Sequence, residues 1–463
     1  MELTTYKKKR IIPKDWKEIK LGEEFKTSSG ATPLSTKREY YEGGTISWIN
    51  SGELDSPFIY KAANFITQKG FDNSSTTIYP QDTILVAMYG ATAGKASLLK
   101  MEACTNQAIC AILPNKDYSP EFIKYNLDTL YDHLVGLSSG SARDNLSQAG
   151  IKELKLIVPQ TKREQESLVT ILSLIDKKIE LNRQINDNLE AMAKQLYDYW
   201  FVQFDFPNEE GKPYKSSGGA MVWNEKLKRK IPQGWSDCIL GDYIGRITNG
   251  LNPRKNFVLG SGNNYYVTIR SLVGTTIDWN NCDRCDDEAL SKINSRSQLQ
   301  IGDIIFSAIG TIGRTYYILE EPTNWNISET SLTLRAKENV PNDFFYGMLR
   351  SNEIQIKADK AAMGSTLRCL VMDSLCSLQY IKIPNYMMKS FAAKVSTLYR
   401  QIHRNNKEIA ELTKQRDELL PLLMNGQATV NYHLSLHLSN TVLYTLHYLG
   451  TVQNHVVRVL KII

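Results

Sequence analysis

Two stretches of the chain carry apolar residues at alternating steps of four and three, the spacing that lines one face of an α-helix. The first stretch runs from Leu168 to Trp200 and contains no proline or glycine. The second runs from Phe391 to Leu423 and matches the first step for step, with a polar residue near its middle. The pattern predicts two long helices, and Thr161 with Glu164 forms a capping box at the start of the first.

A helix that faces a globular core explains either stripe taken singly. Two equal stripes with matching interruptions favour a coiled coil in which the two helices pair. In an antiparallel pair Asn186 faces Asn405, whereas in a parallel pair Asn182 does, and the seam is compatible with both. A buried asparagine fixes the register at some cost in stability. The predicted pairing seam comprises Leu168, Ile175, Asn182, Asn186, Leu189, Leu398, Ile402, Asn405, Ile409 and Leu412.

The rest of the chain alternates short apolar runs with Gly, Ser and Thr turns, which predicts strands and a mixed α/β structure. It also repeats itself: segment 12–16, Ile-Pro-Lys-Asp-Trp, returns about 220 residues later as Ile-Pro-Gln-Gly-Trp at 231–235. Asp82 and the apolar run after it align with Asp303 and its apolar run. A large unit repeated once predicts a pseudo-two-fold protein. DNA sites built from two half-sites select for such proteins.

Each copy contains a turn flanked by glycines, at 90–95 and at 310–314. The small residues permit close backbone approach, and the cation at the end of each turn suits a phosphate or a guanine edge. A second matching pair of loops carries an arginine before the last strand of each copy. A solvated surface position explains any one of these residues equally well. The candidate DNA-binding residues are Tyr89, Thr92, Lys95, Arg143, Thr311, Arg314 and Arg368.

The composition narrows the class of protein only slightly. A net charge of +6 over 463 residues permits nucleic-acid binding without requiring it. Seven cysteines without regular spacing do not form a disulfide framework, and the single CxxC, Cys282 to Cys285, lacks the second pair that a zinc site needs. Neither a secretory signal nor a membrane-spanning run of apolar residues is present, so we expect a cytoplasmic protein.

No catalytic apparatus is recognisable in the sequence. Segment 90–96 looks like a phosphate-binding loop, but three residues separate its glycines where four are needed. Ala96 stands where a serine or threonine must bind magnesium. The nearest approach to an adenine methyltransferase motif is Pro384-Asn385-Tyr386, which has one proline in the wrong order. We therefore expect a chain without catalytic residues or a bound metal.

The order of globular part, long helix, globular part and long helix resembles the specificity subunit of type I restriction-modification systems. Segment 196–206 resembles the way that family ends its first helix, 212–235 resembles its inter-domain linker, and 420–427 its usual ending. The resemblance covers residues 11 to about 430. It stops after Gln427, where a tail holds four of the six histidines, His433, His437, His447 and His455.

The resemblance implies an α+β fold of two similar target recognition domains and two long helices that form a coiled coil, preferably antiparallel. Each domain would read one half of a bipartite site in double-stranded DNA. The helices would set the spacer and dock two modification subunits. Those partners would bind S-adenosylmethionine and methylate adenine, and restriction subunits using ATP and Mg²⁺ would translocate and cut DNA in bacterial host defence.

On this interpretation the chain is not an enzyme on its own and binds no cofactor itself. The alternative is a coiled-coil scaffold whose globular domains bind protein, but that function would not need cations in the loops of both copies. A stand-alone restriction enzyme would need the catalytic motifs that are absent. The predicted layout is a first recognition domain at 1–160, a central helix at 161–205, a linker and second recognition domain at 206–385, a distal helix at 386–427 and an atypical tail at 428–463.

Overall fold

The computed structural model describes residues 13–139, 146–365 and 367–428 and divides into two compact units. Unit 1 comprises the chain up to Glu180 together with the chain from Ala410 onward, and unit 2 comprises Leu181–Ile409. Each unit therefore contains one globular part and a section of both long helices. Arg143 and the four histidines of the tail lie outside the described residues.

Unit 1 contains a five-stranded sheet in the order β2-β9-β6-β7-β4, a three-stranded sheet β5-β3-β8 and the antiparallel pair β1-β10. The strands are β1 Trp16–Lys20, β2 Thr27–Ser29, β3 Ile46–Ile49, β4 Phe58–Ile59, β5 Asn64–Ile66, β6 Ile84–Ala87, β7 Ala96–Leu99, β8 Cys104–Thr105, β9 Ile109–Ile112 and β10 Lys155–Pro159. The short helices are α1 Leu21–Glu24, α2 Gln68–Asp72, α3 Pro120–Asp128, α4 Tyr131–Ser139 and α5 Gln148–Lys152. The first long helix, α6, spans Lys162–Tyr197 and continues as a π-helical turn at Asp198–Val202.

Unit 2 has a four-stranded sheet β14-β22-β19-β20, a three-stranded sheet β18-β15-β21 and three two-stranded pairs, β13-β23, β11-β12 and β16-β17. The strands are β11 Met221–Asn224, β12 Arg229–Pro232, β13 Ser236–Ile239, β14 Ile244–Asn249, β15 Asn264–Val267, β16 Leu272–Val273, β17 Thr276–Ile277, β18 Asp283–Cys285, β19 Ile304–Ser307, β20 Thr315–Tyr317, β21 Trp325–Ile327, β22 Ser331–Ala336 and β23 Gln379–Lys382. The helices are α7 Pro253–Asn256, α8 Asp287–Ser297, α9 Asn342–Leu349, α10 Asn352–Ala361, α11 Met372–Cys376 and the second long helix α12 Asn385–Met424.

The two units share one core topology, which confirms the predicted internal repeat and the α+β fold class, although unit 1 adds β4 to its larger sheet and unit 2 has the additional pair β16-β17. The order β2-β9-β6-β7 in unit 1 corresponds to β14-β22-β19-β20 in unit 2, and β5-β3-β8 corresponds to β18-β15-β21. In both three-stranded sheets the central strand pairs antiparallel with one neighbour and parallel with the other. Unit 2 adds the hairpin β11-β12, formed by part of the predicted linker.

The two long helices pair antiparallel, which is one of the two orientations that the seam left open. In unit 1, Leu168 and Leu172 of α6 share one hydrophobic core with Leu423 and Met424 of α12. The capping box at the start of α6 is also present, because the Glu164 N–H donates to the Thr161 hydroxyl at 3.3 Å and the Thr161 N–H donates to Glu164 at 3.1 Å.

Asparagines fill the helix pair within unit 2. The Asn405 side-chain amide donates to Asn186 Oδ1 at 2.8 Å, which is the contact expected for antiparallel pairing. The Asn186 amide donates in turn to Asn406 at 2.8 Å, and the Asn182 amide to Glu408 at 2.8 Å. Asn182, Asn186 and Asn405 are all buried. The remaining seam residues are buried or half-buried, namely Leu168, Ile175, Leu189, Leu398, Ile402, Ile409 and Leu412.

A buried carboxylate joins the two helices in unit 1, at a position outside the predicted seam. Asp176 is only 1% exposed, accepts a hydrogen bond from the Tyr125 hydroxyl at 2.6 Å and pairs with Arg416 at 3.1 Å. Burial, followed by the charge of Asp176, holds the pKa of Tyr125 well above its usual value, so the phenol remains a donor. A buried carboxylate needs such partners, because an unpaired charge in a dry interior is costly.

Among the helices in the described part of the chain, none is both long enough and apolar enough to cross a membrane.

Replacing Asn186 by leucine should lower the free energy of unfolding by about 1–3 kcal/mol, because the buried Asn405 amide loses its acceptor. The double variant Asn186→Leu/Asn405→Leu should recover part of that loss, since both polar partners are then replaced by apolar groups. Urea unfolding of the three proteins measures the effect. A single variant as stable as the parent would show that the asparagine contact does not hold the helices together.

Replacing Arg416 by methionine should destabilise the protein by about 3 kcal/mol, because Asp176 is left buried without its counter-charge. The matched control is Lys407→Met on the same helix. Lys407 pairs with Glu320 in an exposed ion pair, with side chains 61% and 55% exposed, and such pairs contribute about 0–1 kcal/mol. Equal urea midpoints for the two variants would contradict the buried-pair interpretation.

Candidate DNA interface

The glycines of the two glycine-flanked turns share a left-handed backbone conformation, although the first turn is one residue longer. In the β6–β7 turn, Gly90 and Gly94 have φ of 90° and 84°, and in the β19–β20 turn Gly310 and Gly313 have φ of 82° and 90°. These left-handed values favour glycine because a side chain would clash with the backbone. The carbonyl of Lys95 accepts from the N–H of Ala87 at 3.0 Å.

The equivalent hydrogen bond in the second turn identifies the matching cation. There the carbonyl of Arg314 accepts from the N–H of Ser307 at 2.9 Å. Ala87 and Ser307 are the last residues of β6 and β19. Lys95 and Arg314 therefore occupy the same position in the two hairpins.

The alignment of Asp82 with Asp303 is wrong by one residue. Ile84 and Ile304 begin the equivalent strands, so the partner of Asp303 is Thr83 and the partner of Asp82 is Gly302. Asp82 and Gly302 have φ of 67° and 96°, and their N–H groups donate to the equivalent carbonyls of Leu99 and Ile318. Aspartate tolerates left-handed backbone better than most residues. Asp82 therefore stands where the second copy has Gly302. The alignment was wrong because Asp303, the residue after Gly302, is also an aspartate.

In the first turn, two of the three candidate residues are engaged within the fold. Thr92 is only 6% exposed and its hydroxyl donates to the carbonyl of Ser51 at 2.8 Å. The Lys95 ammonium pairs with Asp55. Tyr89 is exposed. Their contacts with DNA stay predictions, and Tyr89 is the one whose side chain is presented to solvent without rearrangement.

In the second turn, the arginine also reaches back to the fold. Arg314 Nη1 donates to the carbonyl of Ile269 at 3.0 Å and to the carbonyl of Leu272 at 2.9 Å. Thr311 has an exposed side chain, and its carbonyl accepts from the Ser307 hydroxyl at 2.6 Å. Contacts of Thr311 and Arg314 with DNA likewise stay predictions.

Each glycine-flanked turn is hydrogen-bonded to an equivalent element of its own unit, a 3₁₀ turn that follows the central strand of the three-stranded sheet. In unit 1 this turn is Ser51–Glu53 and in unit 2 it is Ile269–Ser271. The carbonyl that begins each turn accepts the anchoring bond, from Thr92 in one case and from Arg314 in the other. Sequence reasoning missed these two 3₁₀ turns, because the contacts join residues more than 40 positions apart and no local pattern signals them.

The structure brings the second candidate loop of unit 2 against its glycine-flanked turn. The Gly310 N–H donates to the carbonyl of Arg368 at 2.8 Å. Met363 and Cys369 exchange backbone hydrogen bonds of 2.9 and 2.7 Å, which makes the loop a hairpin with an exposed Leu367 near its tip. The Arg368 guanidinium pairs with Asp359. Arg143, the predicted counterpart in the first copy, lies outside the described residues.

The surface that results in unit 2 combines features suited to a nucleic acid. Two turns and one hairpin converge, and Gly310 has no side chain that would cover the backbone there. The hydrogen-bonding groups of Arg314 and Arg368 are held by carbonyls and a carboxylate, so both side chains are ordered before any ligand arrives. Such order lowers the entropy cost of binding.

Comparisons with known proteins agree with this architecture. The sequence profile of the type I restriction modification DNA specificity domain matches residues 13–191. The chain is 29% identical over 431 residues to the type I restriction enzyme MjaIX specificity subunit of Methanocaldococcus jannaschii, covering 90% of this chain and 95% of the relative. It is 21% identical to the HindI specificity subunit of Haemophilus influenzae, covering 89% of this chain and 99% of the relative.

A solved structure shows the same fold. The crystal structure of the type I restriction-modification S subunit from M. genitalium aligns with a TM-score of 0.53 and 17% sequence identity, covering 91% of this chain and 98% of that one. The agreement extends over both globular parts and both long helices. The repeated sheets, the paired helices and the relatives agree with one another: residues 13–191 match the specificity-domain profile, and about nine tenths of the chain is similar to specificity subunits of type I restriction enzymes.

Proposed function

We propose that this chain is the DNA-recognition subunit of a type I restriction-modification complex, with each globular part reading one half of a bipartite site in double-stranded DNA. The observation that carries the proposal is the duplicated interface: the same glycine-flanked turn, anchored to the same 3₁₀ turn, occurs in both units. A chain that read a single continuous site would need only one such interface. Two interfaces on similar scaffolds suit a target with two separately specified parts.

The difference between the two turns supports this interpretation further. The second residue after the equivalent strands is Tyr89 in one copy and Ile309 in the other, and the cations are Lys95 and Arg314. The backbone frame is shared, while the chemistry that the frame presents differs. Different half-sites are read by different side chains on a common frame, since phosphate contacts position the protein and base contacts specify the sequence.

The long helices have a separate role in this proposal. The paired α6 and α12 provide the surface for two modification subunits and determine the length of the unspecified spacer. Methylation of adenine then takes place on those partners, which bind S-adenosylmethionine, and cleavage takes place on restriction subunits that use ATP and Mg²⁺. The recognition chain contributes no reacting group of its own.

The proposal predicts that co-expression with the neighbouring modification subunit, in a host free of DNA methylation, produces methylated adenines in a two-part motif with a fixed gap. Direct sequencing of the modified DNA measures this, and omission of the recognition chain should abolish it. A complex that assembles but leaves DNA unmethylated would contradict the proposal for this chain. Failure to assemble would favour the coiled-coil scaffold instead.

Adding one heptad to both long helices should lengthen the unspecified spacer and leave the two half-sites unchanged. The insertions preserve the seam because a heptad returns the same face of the helix to the partner. The same methylation mapping measures the gap. A matched control inserts the heptad into α6 alone, which breaks the asparagine register and should reduce assembly. An unchanged gap in the doubly extended variant would contradict the spacer role.

A further inference from the structure

The 3₁₀ turn of unit 2 carries an arginine that sequence reasoning did not single out. Arg270 is the middle residue of the Ile269–Ser271 turn, and its side chain is exposed. Within the part of the chain that the structure describes, no hydrogen bond, ion pair or aromatic contact occupies its guanidinium. Arg314 and Arg368, by contrast, are both engaged by neighbours. Arg270 is therefore a cation at the candidate interface that is available to a ligand.

The backbone beneath Arg270 is firmly held. Arg314 donates to the carbonyls on either side of it, Ile269 at 3.0 Å and Leu272 at 2.9 Å. Ser271 is buried, its hydroxyl donates to the carbonyl of Asn281 at 2.9 Å, and its own carbonyl accepts from the Asp278 N–H at 2.8 Å. The fixed backbone sets the point from which the Arg270 side chain extends, so only the rotamers of this one side chain remain to be ordered when it binds.

Unit 1 has no cation at the equivalent position. Ile49 and Val267 end the equivalent central strands, so Gly52 corresponds to Arg270. The correspondence is supported by hydrogen bonds: the N–H of Glu53 donates to the carbonyl of Asn50, as that of Ser271 donates to Thr268. In the described part of the chain, no atom lies within 4 Å of the place where a Cβ on Gly52 would stand. The space is open in unit 1, but no side chain uses it.

This asymmetry separates a base contact from a phosphate contact. The sugar-phosphate backbone is the same at both half-sites, so contacts that only position the protein should recur in both copies. A contact present in one copy alone should depend on the sequence that this copy reads. Arginine donates two parallel hydrogen bonds to O6 and N7 of guanine, the commonest specific contact in the major groove.

We propose that Arg270 is a specificity-determining residue that reads a guanine in the half-site bound by unit 2, and that Gly52 leaves the equivalent position of the other half-site unread. The inference rests on the proposed DNA-recognition function and adds a base and a residue to it. Arg314 acts through the turn as a positioning residue, because it holds the two carbonyls that flank Arg270.

The test uses the complex of this chain with its modification subunit. Methylation mapping with Arg270→Ala should show one guanine position of one half-site relaxed to several bases, with the other half-site and the gap unchanged. The matched control is Lys337→Ala, which removes one positive charge from an exposed position after β22 in the same unit and should leave the motif intact. Gly52→Arg should alter the other half-site only, which assigns each half-site to its unit.

Binding to duplexes that differ at the relaxed position gives the magnitude. The parent complex should bind the duplex with guanine at this position about 10- to 100-fold more tightly than duplexes with another base there. The Arg270→Ala complex should lose most of this preference. An unchanged motif, or equal weakening on every duplex together with a smaller salt dependence, would overturn the proposal, the latter in favour of a phosphate contact. A parent complex without any bipartite motif would instead refute the recognition function, and the role of Arg270 with it.

Discussion

The antiparallel pairing of α6 and α12 is the constraint on which the rest of the structure depends, because neither core is complete without both helices. In unit 1, Leu172 and Leu423 from the two helices close the core beneath the five-stranded sheet. In unit 2, Ala193 and Ile402 do the same beneath the four-stranded sheet. The hydrophobic effect stabilises the pairing at both places, while the Asn186–Asn405 contact discriminates between registers. A slip of one residue would remove that contact and expose apolar seam positions in both units together.

The two copies differ in the buried side chains that pack where the long helices contact the globular part. The shift along the sequence that aligns Asn182 with Asn405 in the repeat also aligns Asp176 with Tyr399 and Ala193 with Arg416. In the described part of unit 2, Tyr399 and Ala193 therefore stand where the buried network of unit 1 has Asp176 and Arg416, and a Cβ on Gly347 would lie 3.0 Å from the Tyr399 hydroxyl. Small residues at 193 and 347 line a cavity of about 380 Å³ in unit 2. The two copies differ at both positions of the ion pair, as expected if a buried aspartate cannot lose its arginine without a large cost in stability.

The features that could be predicted from the sequence are those set by residues close together along the chain or by repeated segments. The long helices and their capping box were predictable, because heptad spacing and caps are local patterns, and the repeat was visible because whole segments recur. The anchoring of Lys95 and Arg314 was not predictable, since their partners lie about 40 positions away and differ between copies. The alignment of Asp82 failed because a backbone conformation, shared with Gly302, was conserved where the side chain was not. Arg270 escaped notice because its counterpart in the repeat is a glycine.

The difference between a shared backbone and variable side chains explains how such a scaffold can change its target without losing stability. Backbone hydrogen bonds of the glycine-flanked turn recur in both units although the side chains differ, so the frame does not depend on what it presents. An exchange at the exposed middle of the 3₁₀ turn disturbs no packing, and surface substitutions of that kind change stability by only about 0.5 kcal/mol. A side chain at Gly313 would instead meet Gln355 at 2.1 Å in a left-handed backbone position. Substitutions at positions 52 and 270 therefore change stability little, whereas substitutions at the glycines of the neighbouring glycine-flanked turn lower it. Changes of specificity are thus confined to the residues that can reach a base.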